Sequence, residues 1–504
     1  MQKKRLMINT VSSMILQITT IICGLIIPRL ILRAFGSEIN GLVNSITQFL
    51  GLISFMELGV GAVVETSLYK PLAEHDMEEL SKVMTSARRF FRTIARILFV
   101  YVSILFFLYP VIVKNNFNWL YSSSLVLILS ITAFMQYYFG IVNKLLLNSD
   151  QKGYIQYILH TVCLVLNALT CFVLIKIGCT IHIVRLASAV VFLIQPITMY
   201  AYVNKHYNID YSIQYTEEPI KQKWNGIAQH VSQIVLDGTD TIVLTIFATL
   251  KDVSIYHVYY VVVHGVRTLT QSLSSGIQPL IGHLWAKKET EDLLRAFRRF
   301  EWIVHTVTTY AYSCTAALIV SFVTIYTSGV NDADYYRPAF ALILSLANCM
   351  RCLRLPYNVM VMAAGHYKQT QASYIIAAAL NLVISIIVVS FWGLIGVAVG
   401  TLIAMSFQTL WLAWYTSRHL IEWPLKNVLK HFIVDALLFC ITLLIGNLFE
   451  LSDISFVGFL ILAVKVAVLA LVPTLGINFL LYRDDTVACA RLILSRFTSV
   501  KNTR

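Results

Sequence analysis

The chain is 504 residues long, 58% hydrophobic and 13% charged, with a net charge of +13 and a mean hydropathy of +0.72. Soluble domains carry about 25% charged residues, so these values exclude most soluble catalytic folds. A nucleic-acid partner is excluded by the placement of the basic residues, which sit in alternate loops rather than in one patch.

In chain order, apolar stretches long enough to span a bilayer fall at 10–33, 42–68, 94–113, 121–147, 154–176, 181–203, 225–249, 254–284, 301–327, 337–363, 371–391, 394–415, 432–449 and 455–482. A span needs about 20 residues, and the reading is therefore an all-α polytopic membrane protein with about 14 transmembrane helices. The basic start Lys3-Lys4-Arg5 precedes an apolar run from Val11 to Leu32, longer than the signal-peptide core of about 7 to 15 residues; it reads as span 1. Basic residues divide 27 to 6 between alternate sides, with Arg33, Lys114, Lys176, Arg185, Lys251 and Arg337 as the minority. Positive charge gathers in cytoplasmic loops, so both termini are expected in the cytoplasm, the C-terminal one as a basic tail.

Span 1 holds Gly24, Pro28 and Arg29, which reads as a kinked helix able to bend during gating, with interfacial snorkelling as the other reading of Arg29. Span 2 carries Asn44, Gln48, Ser54, Glu57, Gly61 and Glu65, and the basic stretches 78–92 and 291–299 read as helices on the cytoplasmic surface. Asp237-Gly238-Thr239-Asp240 in span 7 places two carboxylates one turn apart, either to bind a coupling cation or proton or to neutralise Arg267. Span 8 carries His257, Tyr260, His264, Arg267, Gln271, Ser274 and Gln278, three or four residues apart and so on one helical face. Arg351 and Arg354 in span 10 can hold phosphate oxygens bidentately, or Arg354 snorkels to the interface. Asp435 and Lys465, in the last two spans, read as packing or interface residues. The nine cysteines read as small apolar packers, since the single pair Cys349/Cys352 lacks the further ligands zinc needs. No metal or other cofactor is expected.

The chain also repeats itself. Glu78-Glu79-Leu80 matches Glu291-Asp292-Leu293 at an offset of 213 residues, Asn167 matches Asn381 at 214, and Gly178 matches Gly393 at 215. This predicts two six-helix lobes, 1–205 and 225–417, joined by a cytoplasmic linker at 206–224 and followed by two additional helices in 418–504. Six is even, so the lobes relate by a pseudo-two-fold along the membrane normal. The offset also carries the stripe of span 8 onto that of span 2, Leu58 excepted. Polar groups are costly in hydrocarbon; two stripes in register with a repeat read as opposed walls of an aqueous cleft rather than as packing polars.

There is no HExxH, GxSxG or Walker-type GxxxxGK[ST] motif. Gly36-Ser37-Glu38-Ile39-Asn40-Gly41-Leu42, Met56-Glu57-Leu58-Gly59-Val60-Gly61, Leu68-Tyr69-Lys70-Pro71-Leu72 and Gly276-Ile277-Gln278-Pro279 with Gly282 together resemble the polysaccharide (O-antigen type) flippase branch of the multidrug/oligosaccharidyl-lipid/polysaccharide exporter superfamily, over the full length. The resemblance implies alternating access between two lobes in the bacterial inner membrane. The expected substrate is an undecaprenyl-diphosphate-linked oligosaccharide, with the diphosphate at Arg267. Membrane lipids, a polysaccharide polymerase and glycosyltransferases are the expected partners. A multidrug/cation antiporter is the alternative; its relatives use an acidic residue in the first helix, which is missing between Val11 and Arg33. A membrane polymerase would need a longer external loop than 328–336.

Overall fold

A computed structural model describes residues 2–57, 59–113, 117–215, 217–220, 227–449, 451, 453–489 and 491. Leu58, Lys114, Lys221, Lys223 and the basic tail beyond 491 lie outside the described residues.

Among the described residues every regular element is helical, as hydrocarbon demands of a backbone that cannot bond water. The chain runs through α1 (Gln2–Gly51), α2 (Val60–Glu74), α3 (Met77–Ile112), α4 (Trp119–Met135), α5 (Ile141–Ser149), α6 (Gly153–Lys176), α7 (Ile181–His206) and α8 (Ile227–Phe247). It continues through α9 (Leu250–Lys287), α10 (Thr290–Tyr326), α11 (Pro338–Leu353), α12 (Leu355–Ala363), α13 (Tyr367–Trp392), α14 (Leu394–Tyr415), α15 (Leu425–Asn447) and α16 (Phe456–Leu481). Eleven helical stretches among the described residues are long and apolar enough to cross a membrane. The sequence reading of 14 is reconciled physically: α1 contains the first span and the start of the second across its non-helical residue Gly36, and the polar side chains of α8 and α9 leave them out of the eleven. Large apolar side chains such as Ile18, Phe99, Leu108, Val472 and Leu480 are exposed, as a surface solvated by lipid tails requires.

Several expected spans are reshaped. The stretches 78–92 and 291–299 are not separate surface helices but the first turns of α3 and α10, with Leu80, Met84, Ala87, Phe91, Leu293 and Phe297 buried. Span 4 is interrupted by the π-helical segment Gln136–Gly140. Span 10 is divided at Arg354, with Pro356 in the first turn of α12. Span 2 is broken between Gly51 and Val60.

The chain folds as two compact units, Met1–His257 with Gly329–Ala333, and Val258–Ser328 with Asp334–Arg504. In the first, Gly36 (φ 81°) turns α1, and Asp332 accepts from the Ser37 amide at 2.6 Å and its hydroxyl at 2.7 Å. Asn40 donates to Ser254 at 2.8 Å, and a Cβ on Gly41 would collide with the Leu250 backbone. The motif 36–42 is therefore a corner where small residues let two helices approach. At one end of this unit Lys152 pairs with Asp150 at 2.7 Å and Tyr207 donates to the same carboxylate. Burial first, then that carboxylate, push the Tyr207 phenol above its usual value.

In the second unit α15 and α16 pack against α10, where Trp302 donates to Asn478 at 2.7 Å. The repeat is visible inside each unit separately. Asn167 and Ser188 both contact the Cys171 thiol, and their counterparts Asn381 and Thr401 bond directly at 2.9 Å. Gly178 and Gly393 both have positive φ.

Candidate substrate pathway

In the first unit, the residues that break span 2 open a cavity. A 3-10 turn, Leu52–Met56, ends at Glu57, Gly59 adopts φ 75°, and the helix resumes at Val60. That left-handed conformation strains any residue with a Cβ. The cavity, about 600 Å³, is lined by Ser54, Glu57, Gln136, Tyr137, Lys144, Gln156, His160, Asn167, Arg185 and Gln195 among others. Tyr137 donates to the Glu57 carboxylate at 2.6 Å from the π-helical segment, a distortion found frequently at functional sites. His160 and Gln195 are bonded at 2.8 Å.

Two cations face this cavity. Lys144 and Arg185, counted with the charges of opposite sides although each falls just inside an expected span, lie inside α5 and α7. Arg185 Nε is buried with no hydrogen-bond partner among the described residues. The cavity therefore holds two positive charges and one carboxylate in a polar lining, suited to a polar or anionic guest.

The other span 1, 2 and 7 residues divide by environment. Gln48 packs so closely on Gly238 that a Cβ there would lie 2.5 Å from its amide nitrogen, and Asn44 Nδ2 is buried without a hydrogen-bond partner among the described residues. Glu65 is held at the α5 end, its carboxylate by Asn148 at 3.2 Å and its carbonyl by Ser149 at 3.3 Å. Asp237 accepts from Gln233 at 3.0 Å, while buried Asp240 accepts from Tyr256 at 2.8 Å. His257 is half-buried. Helix α1 stays helical through Gly24, Pro28 and Arg29; its one non-helical residue is Gly36.

In the second unit, α9 buries its stripe unevenly. Arg267 is buried and donates to Tyr260 at 3.2 Å, on the side of Val263 and Thr270. His264 and Gln271 are exposed, and Gln278 is half-buried. Arg351 is buried on α11, and both Arg267 and Arg351 lie within electrostatic reach of the Cys352 thiol, which accepts from Thr270 at 3.2 Å. Arg267 and Arg351 are thus two buried cations, one on each of two helices. Arg354 does not snorkel: it is buried and donates to Gln408.

The sequence reading missed Lys144, Arg185, His160 and Gln195. The signal for the last two was available, as polar residues inside spans 5 and 6.

Neither a scan of protein-family models nor a search of curated proteins finds a match. Solved structures do match. The lipid II flippase MurJ in an inward closed conformation superposes with a TM-score of 0.70 at 15% identity, covering 95% of this chain and 99% of that one. An inward-facing multidrug resistance MATE family transporter of the MOP superfamily gives 0.61 at 14% identity, covering 79% and 94%. A eukaryotic MATE transporter gives 0.54 at 12%, covering 81% and 96%. The chain has the fold of these transporters. At such identities the likeness extends to the path of the backbone, and the chemistry rests on the side chains described above.

Proposed function

We propose that this membrane protein flips an undecaprenyl-diphosphate-linked oligosaccharide from the cytoplasmic to the outer leaflet of the bacterial inner membrane by alternating access, for surface polysaccharide assembly. Both termini are then cytoplasmic, and polymerase and glycosyltransferases are its neighbours in the process. The observation that carries this reading is the burial of two arginines, Arg267 on α9 and Arg351 on α11, each within electrostatic reach of Cys352. Buried cations within a membrane are costly unless they are used, and two guanidinium forks match the several oxygens of a diphosphate. The polar cavity of the first unit supports handling of a glycan, and a prenyl tail needs no site because it stays in lipid. The flippase also covers 95% of this chain against 79% for the first MATE transporter.

The test is complementation of a strain lacking the gene. Arg267→Ala and Arg351→Ala should each cut surface polysaccharide more than about tenfold, the worth of one charged hydrogen bond, with normal amounts of protein in the membrane. Near-normal polysaccharide in both variants would remove the arginines from the mechanism. Drug/cation antiport is the second reading, and Glu57 bonded to Tyr137 in the cavity of the first unit favours it. Gradient-driven efflux of a cationic dye from proteoliposomes, lost in Glu57→Gln, would select antiport over flipping.

A further inference from the structure

Glu301, His305, His431 and Asp435 form a cluster in the second unit that the proposed function does not use. Their exposures are 0%, 1%, 5% and 8%. Helix α10 supplies Glu301 and His305, and α15 supplies His431 and Asp435, each pair four residues apart and so one above the other on its helix.

The bonding within the cluster is uneven. Asp435 is fully engaged, with His305 Nδ1 at 2.6 Å and the Thr309 hydroxyl at 2.8 Å. Tyr357 donates to Glu301 Oε1 at 2.8 Å, and its oxygen lies 3.4 Å from His305 Nε2. His305 Nδ1 thus faces Asp435, and its Nε2 faces the Tyr357 oxygen, whose own proton goes to Glu301. The other oxygen of Glu301, Oε2, and the indole Nε1 of Trp423, which also acts on this carboxyl, each lack a well-formed hydrogen bond among the described residues; His431 Nε2 stands 3.6 Å from Oε2. The His431 ring is clamped between His305 and Tyr482, with both centroid distances 4.8 Å.

The surrounding charges are committed elsewhere. Arg298 on α10 pairs with Asp485 at 2.9 Å. Lys430 on α15 donates to the Leu481 carbonyl at 2.7 Å and lies over the Tyr482 ring. On α11 the buried Cys349 thiol lies within electrostatic reach of Asp435. With His305 charged, the two carboxylates leave one negative charge in a site closed to water, which is a costly arrangement in a low dielectric. One further proton between Glu301 Oε2 and His431 Nε2 cancels it. A carboxylate facing an imidazole at this distance is the chemistry of a shared proton.

We infer that Glu301 and His431 form a proton-binding site, which takes one proton from water when the Glu301–His431 line opens to it and returns it to water on release. His305, Asp435 and Tyr357 position the pair. The inference does not depend on which substrate is carried, and its test uses none.

Infrared difference spectra of the full-length protein in lipid, recorded while the buffer is cycled between about pH 5 and pH 9 where imidazoles titrate, should contain a one-proton transition of a carboxylate–imidazole pair. Glu301→Gln and His431→Gln should each abolish it. Tyr357→Phe, which removes only the hydroxyl, should shift its midpoint by at least about half a pH unit. Glu291→Gln, at the exposed start of α10, should leave it unchanged. Spectra of Glu301→Gln and His431→Gln that retain the transition would overturn the inference. If those two variants fail to insert, an unmoved midpoint in Tyr357→Phe would overturn it in their place.

Discussion

Arg354 shows how a residue's neighbours decide its role. In the linear chain it stands two residues before Pro356 within the span 337–363, and one reading of it there is a side chain that reaches for the interface. The proline starts a new helix instead, and Arg354 at the junction turns onto the Gln408 side chain, 5.8 Å from the centre of the Tyr374 ring. Replacing Arg354 with Leu leaves a buried amide unbonded and should cost about 1–3 kcal/mol, read as a lower melting temperature of the purified protein. Lys144 and Arg185 make the converse case. Each lies within a few residues of a span end, where a loop charge and a cavity charge look alike in sequence. Only the packing of α5 and α7 turns both into the cavity.

At the scale of elements, what matters is where helices stop being straight. Periodicity assumes an unbroken helix, so it assigned Ser54, Glu57 and Glu65 to one face. The break at Glu57–Gly59 rephases the second half: Ser54 and Glu57 line the cavity while Glu65 is tied to α5. The sequence did contain both corners, since Gly36 and Gly59 sit inside the motifs that carry the family resemblance, but glycine in an apolar run is common in membrane helices. Gly36→Ala meets two obstacles, a positive φ and a Cβ placed 2.8 Å from the Asp332 carboxylate. It should destabilise the protein by about 1–2 kcal/mol, visible as a lower melting temperature, while Gly24→Ala, whose Cβ would meet nothing within 4 Å, should leave the melting temperature unchanged.

At the scale of the whole molecule, α15 and α16 are the helices outside the repeat, and the buried cluster makes them necessary to the second unit. His305 and Asp435 are 130 residues apart in sequence. Ending the chain at Pro424 would strip His305 and Glu301 of His431 and Asp435; breaking buried charge pairs costs about 3–5 kcal/mol each, so the truncated protein should fail to elute as a single species in size-exclusion chromatography. The exposed polar residues of α9 give a separate check. Cysteine placed at His264 or Gln271 should react with a membrane-impermeant thiol reagent if that face meets water, and cysteine at buried Thr270 should not.

Composition and hydropathy by themselves determined that the chain is helical and crosses a membrane many times, because hydrocarbon leaves the backbone few alternatives. Self-similarity at an offset of 213 residues exposed the repeat that recurs in Asn167 with Ser188 and in Asn381 with Thr401. The tertiary structure alone decided which ionisable groups meet. Glu57 with Tyr137, Arg354 with Gln408, and Glu301 with His431 are all pairings across helices, and helical periodicity constrains the face a residue occupies on its own helix while leaving open what another helix brings to it.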